Sequence, residues 1–591
     1  MEFPSKESVP PYGELYVPEK FTREEQYLLA PFFSNLDKPC YIVRNLPPEV
    51  GGALASRYSR LPGTLRRTFF NEYIREMVYP EVASDWERIP DSQKIERQKS
   101  SSEFRLWVDS FHNGACVDTR RGRTFFGRWL LEYGDDSIAE LAGGIMVCFE
   151  GVSNVVVNTM EMQRIGISPI EKSSRFVSFS NTDERGKYPY VTPHEIISAG
   201  FEVEYEALMD KLFTLYSKLE RLYFDYVKTH LFPIESDESS SVFERSRKAK
   251  VFDDIRDLLP FSTKTNVAFS GNARAFENLI NRLIANPISE VRYWGHMAYN
   301  ELYALYPSLF SRVGNERGAD VQIYRREYQE LASDHVGKYL TPREKNGRFS
   351  KEQVTLSSYD KEGVEKVIAA HLFHLQNSGM TEEEVLEVVR NFTGEEKAQI
   401  MEDIFSVRHA RGDVLREKTR HRRVPRSFEA SQYIINIVSR GGDKRDFMRH
   451  RMLTFYRHKL TTRFGWRVEE DLRKFVMYPD IESVFLESEA LYEKIVNIDP
   501  LAAQYIVPFA FFQSYSMHLT AREIFWLCEL RSGEAGKSAY RKIAQDISTA
   551  VRQVHPLLFA HMHTDYNQYG LARRSALNRI ESKLRQQGYK L

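Results

Sequence analysis

Residues 447–466 read FMRHRMLTFYRHKLTTRFGW, with Arg449, His450 and Arg451 as an unbroken basic triplet. Seven of the twenty positions are Arg, Lys or His, and they interleave with Phe, Met, Leu and Tyr. On a helix or at its end, such a triplet directs two guanidinium forks and an imidazole into one region. A guanidinium is planar, permanently charged and bonds bidentately, which suits a phosphate, a carboxylate or an electron-rich heterocycle. A solvated basic face is the ordinary alternative for an Arg-rich helix. This stretch, however, has a counterpart: residues 162–179, MQRIGISPIEKSSRFVSF, hold the same kind of position in the first half of the chain.

A chain of 591 residues is too long for one compact core and is expected to form two or more domains. Lys plus Arg and Asp plus Glu each total 82, so overall charge gives no argument for nucleic acid or an acidic partner. An apolar content of 42%, with 13% aromatics, is that of a folded globular protein. No uninterrupted apolar run is long enough to span a bilayer, and the N-terminal MEFPSKESVPPYGELY has no signal-peptide core. Cys40, Cys116, Cys148 and Cys528 are scattered without CxxC spacing, which argues against a disulfide framework or a zinc ribbon. The expectation is a cytoplasmic protein with no membrane partner and no metal.

Along the chain, residues 1–35 are Pro-rich and charged and are expected to form a loosely held arm. KPCYIV, from Lys38, reads as a short strand, and the Pro-initiated helix after it breaks at Leu61-Pro62-Gly63. Ser137 and Glu140 form a capping box, and the apolar positions beyond them suit a buried helix. Leu208, Leu212, Leu215, Leu219 and Leu222 stripe an amphipathic helix over residues 202–222. Asp237–Lys250 reads as a solvated loop, and Asn272–Trp294 as a helical segment. Thr341–Gln353 has linker composition. Beyond it, helices are expected over residues 381–390, 395–405 and 481–496.

The order of elements recurs. Pro260 and Arg274 are 14 residues apart, as are Pro508 and Arg522, and in each half a striped helix and an Arg-rich motif precede the proline. The period is far too long for a solenoid, so the pattern reads as two divergent copies of a whole domain. The expected division is an arm (1–35), a first domain (36–320), a linker region (321–355) and a second domain (356–591).

These landmarks resemble the flavin-dependent thymidylate synthases. That family carries Arg-His-Arg, seven residues, then Ser, with Glu two before and Arg two after the Ser. Downstream come an Arg, a Pro four residues on, an Asn-x-Arg-x-x-x-Asn run and a Leu-Arg. The first copy has lost the triplet (Gln163-Arg164-Ile165) but keeps Glu171, Ser173 and Arg175, then Arg256, Pro260, Asn272, Arg274 and Asn278; Arg282-Leu283 stands at the Leu-Arg position. The second copy keeps Arg449-His450-Arg451, Arg522 and Leu530-Arg531. Lys459 replaces its Ser, Gln504 its first downstream Arg and Thr520 its first Asn. Complementary losses of this kind are what one hybrid site shared by two copies predicts; decay is the alternative, although copies degenerating independently would not be expected to lose different halves so neatly.

The resemblance implies an α/β fold, helix-rich with a small antiparallel sheet in each copy, and a homodimer presenting four domains. It implies FAD as cofactor, methylenetetrahydrofolate and NADPH as co-substrates, and dUMP as the nucleotide methylated to dTMP. The absence of a Rossmann GxGxxG agrees with this. Arg175, Arg256 and Arg531 would grip the phosphate dianion. Ser173, with Ser174 beside it, would bond the pyrimidine or phosphate, and Glu171 a ribose or pyrimidine group unless it pairs with Lys172 or Arg175. Ser173 and Arg531 are the residues placed nearest the chemistry. Arg449 and Arg451 would stabilise reduced flavin, with His450 stacking on it or bonding to it, unless that His is structural. Asn272, Arg274, Asn278 and Arg522 would contact flavin or adenylate; a polar helix face is the alternative.

Three other readings compete. Arg416–Arg426, REKTRHRRVPR, joined to 447–467, has the make-up of a nucleic-acid-binding surface. His555, His561, His563 and Asp565 cluster in HPLLFAHMHTDY, but at no standard ligand spacing. A non-catalytic or altered-substrate relative would keep the fold without the reaction.

Overall fold

The computed structural model describes residues 16–114, 118–133, 137–163, 165–233, 240–340, 349–375, 377–409 and 422–571. The chain divides into two compact units, neither continuous in sequence. The first takes Met1–Thr214, Pro260–Pro342 and Ala490–Ile506; the second takes Leu215–Leu259, Arg343–Glu489 and Val507–Leu591. Each is completed by a segment from the opposite half of the sequence.

The first unit holds strands β1 (Cys40–Val43), β2 (Ile145–Ser153), β3 (Ile167–Glu171) and β4 (Lys264–Gly271), ordered β1-β2-β4-β3 and antiparallel throughout. In the second, β5 (Gln353–Tyr359), β6 (Gln432–Arg440), β7 (Leu453–Arg457) and β8 (Phe512–Thr520) pair in the matching order β5-β6-β8-β7. The central strands of both sheets run directly into helices: β2 into Asn154–Met160 and β4 towards Ala273–Ile284, β6 into Gly441–Met448 and β8 into Ala521–Arg531. The duplication is therefore one topology built twice, helix-rich with a small antiparallel sheet each time. In the first core, Phe149 of β2 meets Phe269 of β4 and Trp294 edge to face.

Several expected elements form where the residue pattern places them. KPCYIV carries β1, the Leu stripe lies on helix Glu202–Tyr226, and Thr381 caps helix Glu382–Arg390 in a capping box with Glu384. The buried helix expected beyond Ser137 forms only over Asn154–Met160, after a strand that takes the first part of the apolar run. A short helix, Ser137–Leu141, is followed by β2. A continuous apolar run reads alike as buried helix or central strand. Here Gly144 and Gly151, at φ +75° and +77°, bound and bulge the segment, and β1 and β4 take its backbone bonds.

The loop expected over Asp237–Lys250 is helical from Ser240 to Ile255. Phe243, Val251 and Phe252 bury one face, and the buried Arg247 donates to the Phe232 carbonyl. The segment expected from Asn272 to Trp294 is two helices, Ala273–Ile284 and Ser289–Leu305, parted at Pro287, which has no N–H to continue the first. Part of the expected loose arm is packed. Helix Arg23–Leu29 has a Thr22/Glu25 capping box, and Phe21, Leu28, Leu29, Phe32 and Phe33 join a buried cluster with Tyr41 and Phe69. Of the linker stretch, residues 341–348 lie outside the described residues, and Gln353 opens β5.

Candidate functional site

In the first unit, β3 delivers Glu171 to the end of its pairing with β4, opposite Val267. Glu171 is 3% exposed, and Ser174 and Arg175 are also buried. The Ser173 amide donates to the Ser59 carbonyl (2.8 Å), and the Ser173 hydroxyl accepts from the Arg175 amide (3.3 Å). Lys172 turns away from Glu171: its amine donates to the Pro62 carbonyl at 2.7 Å. Burial pulls that amine down to about 8, against the opposing charges of Glu150 and Glu19.

Asn272 caps helix Ala273–Ile284, its side-chain oxygen accepting from the Ala275 amide at 2.9 Å. Thr520 performs the same service for helix Ala521–Arg531, which explains why the second copy tolerates the exchange. Gly166, at φ +75°, lets β3 start against this cap; a Cβ there would stand 2.9 Å from that of Ala275. Arg274 pairs with Glu277 (3.3 Å), which Arg312 also holds (2.6 Å), and Asn278 is half-buried on the same helix.

In the second unit the signature residues converge on an imidazole. Helix Gly441–Met448 ends with Arg449 as its C-cap, exposed, so that His450 turns inward and Arg451 is half-buried. His450 Nδ1 lies 2.6 Å from Glu523 Oε1, and Arg531 Nε donates to His450 Nε2 at 3.1 Å. Arg531 also pairs with Asp446 (3.4 Å). Glu523 and Arg531 occupy the first and last turns of helix Ala521–Arg531, so their side chains close on the ring from both ends. Because a guanidinium only donates, Nε2 carries the lone pair and Nδ1–H faces Glu523. Burial lowers the imidazole pKa, Arg531 adds to the effect, and the Glu523 bond opposes it. Both ring nitrogens are committed. Arg522 is held by the Val424 carbonyl (3.1 Å) and Glu429 (2.7 Å).

Arg256 belongs to the second unit, whereas Glu171, Ser173 and Arg175 belong to the first. Its guanidinium faces Asp443 at 3.5 Å. Around Asp443 lies a buried charge cluster that no local pattern announces. Arg440, with no exposed surface, reaches Asp257 (2.7 Å), Glu469 (2.7 Å), Asp443 (3.0 Å) and Glu352 (3.4 Å). Lys537 reaches Asp257 (3.2 Å), Asp443 (3.4 Å) and Glu469 (3.6 Å). Burial by itself would raise Asp443 and Glu469, but Arg440 and Lys537 outweigh it and hold both below the usual carboxylate range. Asp446, four residues before His450, was the one helical spacing that could have pointed to the His450 group.

Some residues of the nucleic-acid and metal readings have partners within the chain. Residues 410–421 of the basic stretch lie outside the described residues; Arg422 donates to the Arg408 carbonyl, and Arg423 lies 4.3 Å from the Trp526 ring centroid. His555 bonds Tyr433 (2.6 Å) and His561 bonds Glu402 (2.8 Å). Among the described residues no group of three or more potential ligands is placed to hold a metal.

The sequence model of a family described as thymidylate synthase complementing protein matches residues 84–308 and 355–557. A UPF0159 protein of Chlamydia muridarum (strain MoPn / Nigg) is 31% identical over 562 residues, spanning 94% of this chain and 97% of its own. One of Chlamydia pneumoniae has the same identity and coverage. One of Thermoplasma acidophilum is 30% identical over 494 residues, 79% of this chain and 93% of its own. With two matched stretches carried on two sheets of one strand order, the chain belongs to the thymidylate synthase complementing protein family, as a divergent two-copy member.

Proposed function

We propose that the chain is a flavin-dependent thymidylate synthase, methylating dUMP to dTMP with methylenetetrahydrofolate as carbon donor and NADPH as reductant. The observation that carries this reading is the sorting of the divided signature. Glu171, Ser173, Ser174, Arg175, Asn272, Arg274 and Asn278 fall in the first unit, and Arg449, His450, Arg451, Arg522 and Arg531 in the second, where the first copy's Arg256 joins them. Arg175 grips the nucleotide phosphate, and Ser173 bonds the pyrimidine or phosphate. Arg449 and Arg451 present guanidinium groups at a helix end, a donor set that suits the diphosphate and reduced ring of FAD. FAD, when bound, supplies the hydride. His450, with both nitrogens taken by Glu523 and Arg531, positions Arg531 and offers a ligand only its ring. Asn272 uses its carbonyl oxygen as the cap and keeps its amide group for the cofactor.

Among the described residues no helix is long and apolar enough to cross a membrane. The proposal places the enzyme in the cytoplasm as a dimer presenting four units. The test is a visible absorption spectrum of the purified chain supplied with FAD, before and after dUMP, followed by an assay of NADPH-dependent dTMP formation. A flavin band that shifts with dUMP supports the reading. No retained flavin, or flavin indifferent to dUMP, refutes it in favour of a homologue that kept the fold without the reaction.

A further inference from the structure

Ser59–Gly63 links helix Pro48–Tyr58 to helix Leu65–Phe69 in the first unit, ahead of the residues that the family matches. Four contacts lay it against the Glu171–Phe176 segment. The Ser59 carbonyl accepts from the Ser173 amide at 2.8 Å. The Pro62 and Gly63 carbonyls face the Lys172 amine at 2.7 and 3.5 Å. The Arg60 guanidinium lies 5.7 Å from the Phe176 ring centroid. Lys172 is buried, whereas Arg60 is exposed, and among the described residues no carboxylate pairs with Arg60. A cation without an anionic partner, on a loop bonded to the Ser173 amide and the Lys172 amine, is arranged to meet an anion from solution.

We infer that Ser59–Gly63 is a further wall of the nucleotide site, with Arg60 as an additional phosphate-binding residue and Lys172 as the residue that positions it. The inference rests on reading Glu171–Arg175 as the nucleotide-binding segment. Arg60 adds a second guanidinium to that of Arg175 for a dianionic phosphate. Lys172 acts through the loop: its bonds to the Pro62 and Gly63 carbonyls fix the end of the segment that leads away from helix Pro48–Tyr58, while Arg60 itself is tied to that helix by its amide on the Arg57 carbonyl (2.9 Å).

The experiment is calorimetric titration of the full chain with dUMP and, separately, with uncharged deoxyuridine. Arg60→Gln is expected to weaken dUMP about tenfold, the loss of one charge-assisted contact, and to leave deoxyuridine unchanged. Lys172→Met is expected to weaken dUMP comparably, with Arg60→Gln adding little on top of it. Unchanged dUMP affinity in Arg60→Gln overturns the inference, and so does an equal loss for both ligands, which marks a structural effect. Should Lys172→Met fail to fold, the exposed Arg60→Gln still decides. A wild-type chain that binds no dUMP overturns both the inference and the function on which it rests; wild-type binding with an indifferent Arg60→Gln overturns the inference alone.

Discussion

Replacing Arg440 with methionine would strip the second unit of the cation that its buried carboxylates share. Arg440 has no exposed surface and pairs with Asp257, Asp443, Glu469 and Glu352 at 2.7–3.4 Å. Methionine fills similar space but leaves Asp257, Asp443 and Glu469 with Lys537 and Arg256 alone. Removing one member of a buried ion cluster costs about 3–5 kcal/mol, because the remaining charges stay buried without compensation. At roughly 1.4 kcal/mol per tenfold, the opening equilibrium of this unit should rise about 100- to several-thousand-fold. Hydrogen exchange read by mass spectrometry on peptides from β6 and β8 measures that directly, with β2 peptides of the first unit as internal control. The effect also has a pH signature. In the wild type, Asp443 and Glu469 titrate below their unfolded values of about 4, so their contribution is complete above that pH and is lost only as pH falls through the folded values. In Arg440→Met the largest charge opposing burial is gone and both carboxyls move upward, so the penalty is greatest where they are fully ionised and shrinks as pH falls towards their titration. A change under tenfold in β6 exchange, or a deficit that widens as pH falls, would refute the reasoning.

Other outcomes follow from the same geometry. His450 should stay neutral to lower pH than an ordinary histidine, so the stability it confers falls as pH drops below about 6.5, where the unfolded ring takes up its proton first. NMR titration of its Hε1 signal checks this, and Glu523→Gln should lower the value further by removing the bond that opposes burial. Asn272→Ala should cost about 1 kcal/mol in urea denaturation for the lost cap, and Asn272→Thr much less, as Thr520 shows in the second unit. If Asn272 also holds the cofactor, Asn272→Thr will shed flavin while remaining stable. Arg175→Ala and Arg449→Ala should each abolish dTMP formation, the first through loss of dUMP binding by calorimetry, the second through loss of flavin on gel filtration. Full activity in either would sink the division of roles between the copies.

The sequence by itself determined the duplication, because strands, caps and striped helices are local. The equal spacing from Pro260 to Arg274 and from Pro508 to Arg522 is the spacing of β4 and β8 with the helices they feed. It also held the signature residues in two incomplete sets. The apolar run Ile145–Phe149 of β2 was ambiguous, since burial on both faces erases periodicity. Only the tertiary structure decided which segment completes which unit. Asp257 and Tyr505 sit at corresponding places in the two copies, three residues before Pro260 and Pro508. In the first unit Tyr505 donates to the buried Glu290 (2.7 Å); in the second, Asp257 neutralises Arg440 and Lys537. Were the segments to trade places, Asp257 would bring a second carboxylate to Glu290, and Arg440 would lose a counter-charge. Such partners lie 183 to 280 residues apart, and ion pairs obey no period, so the choice is written in charge and legible only once the chain has folded.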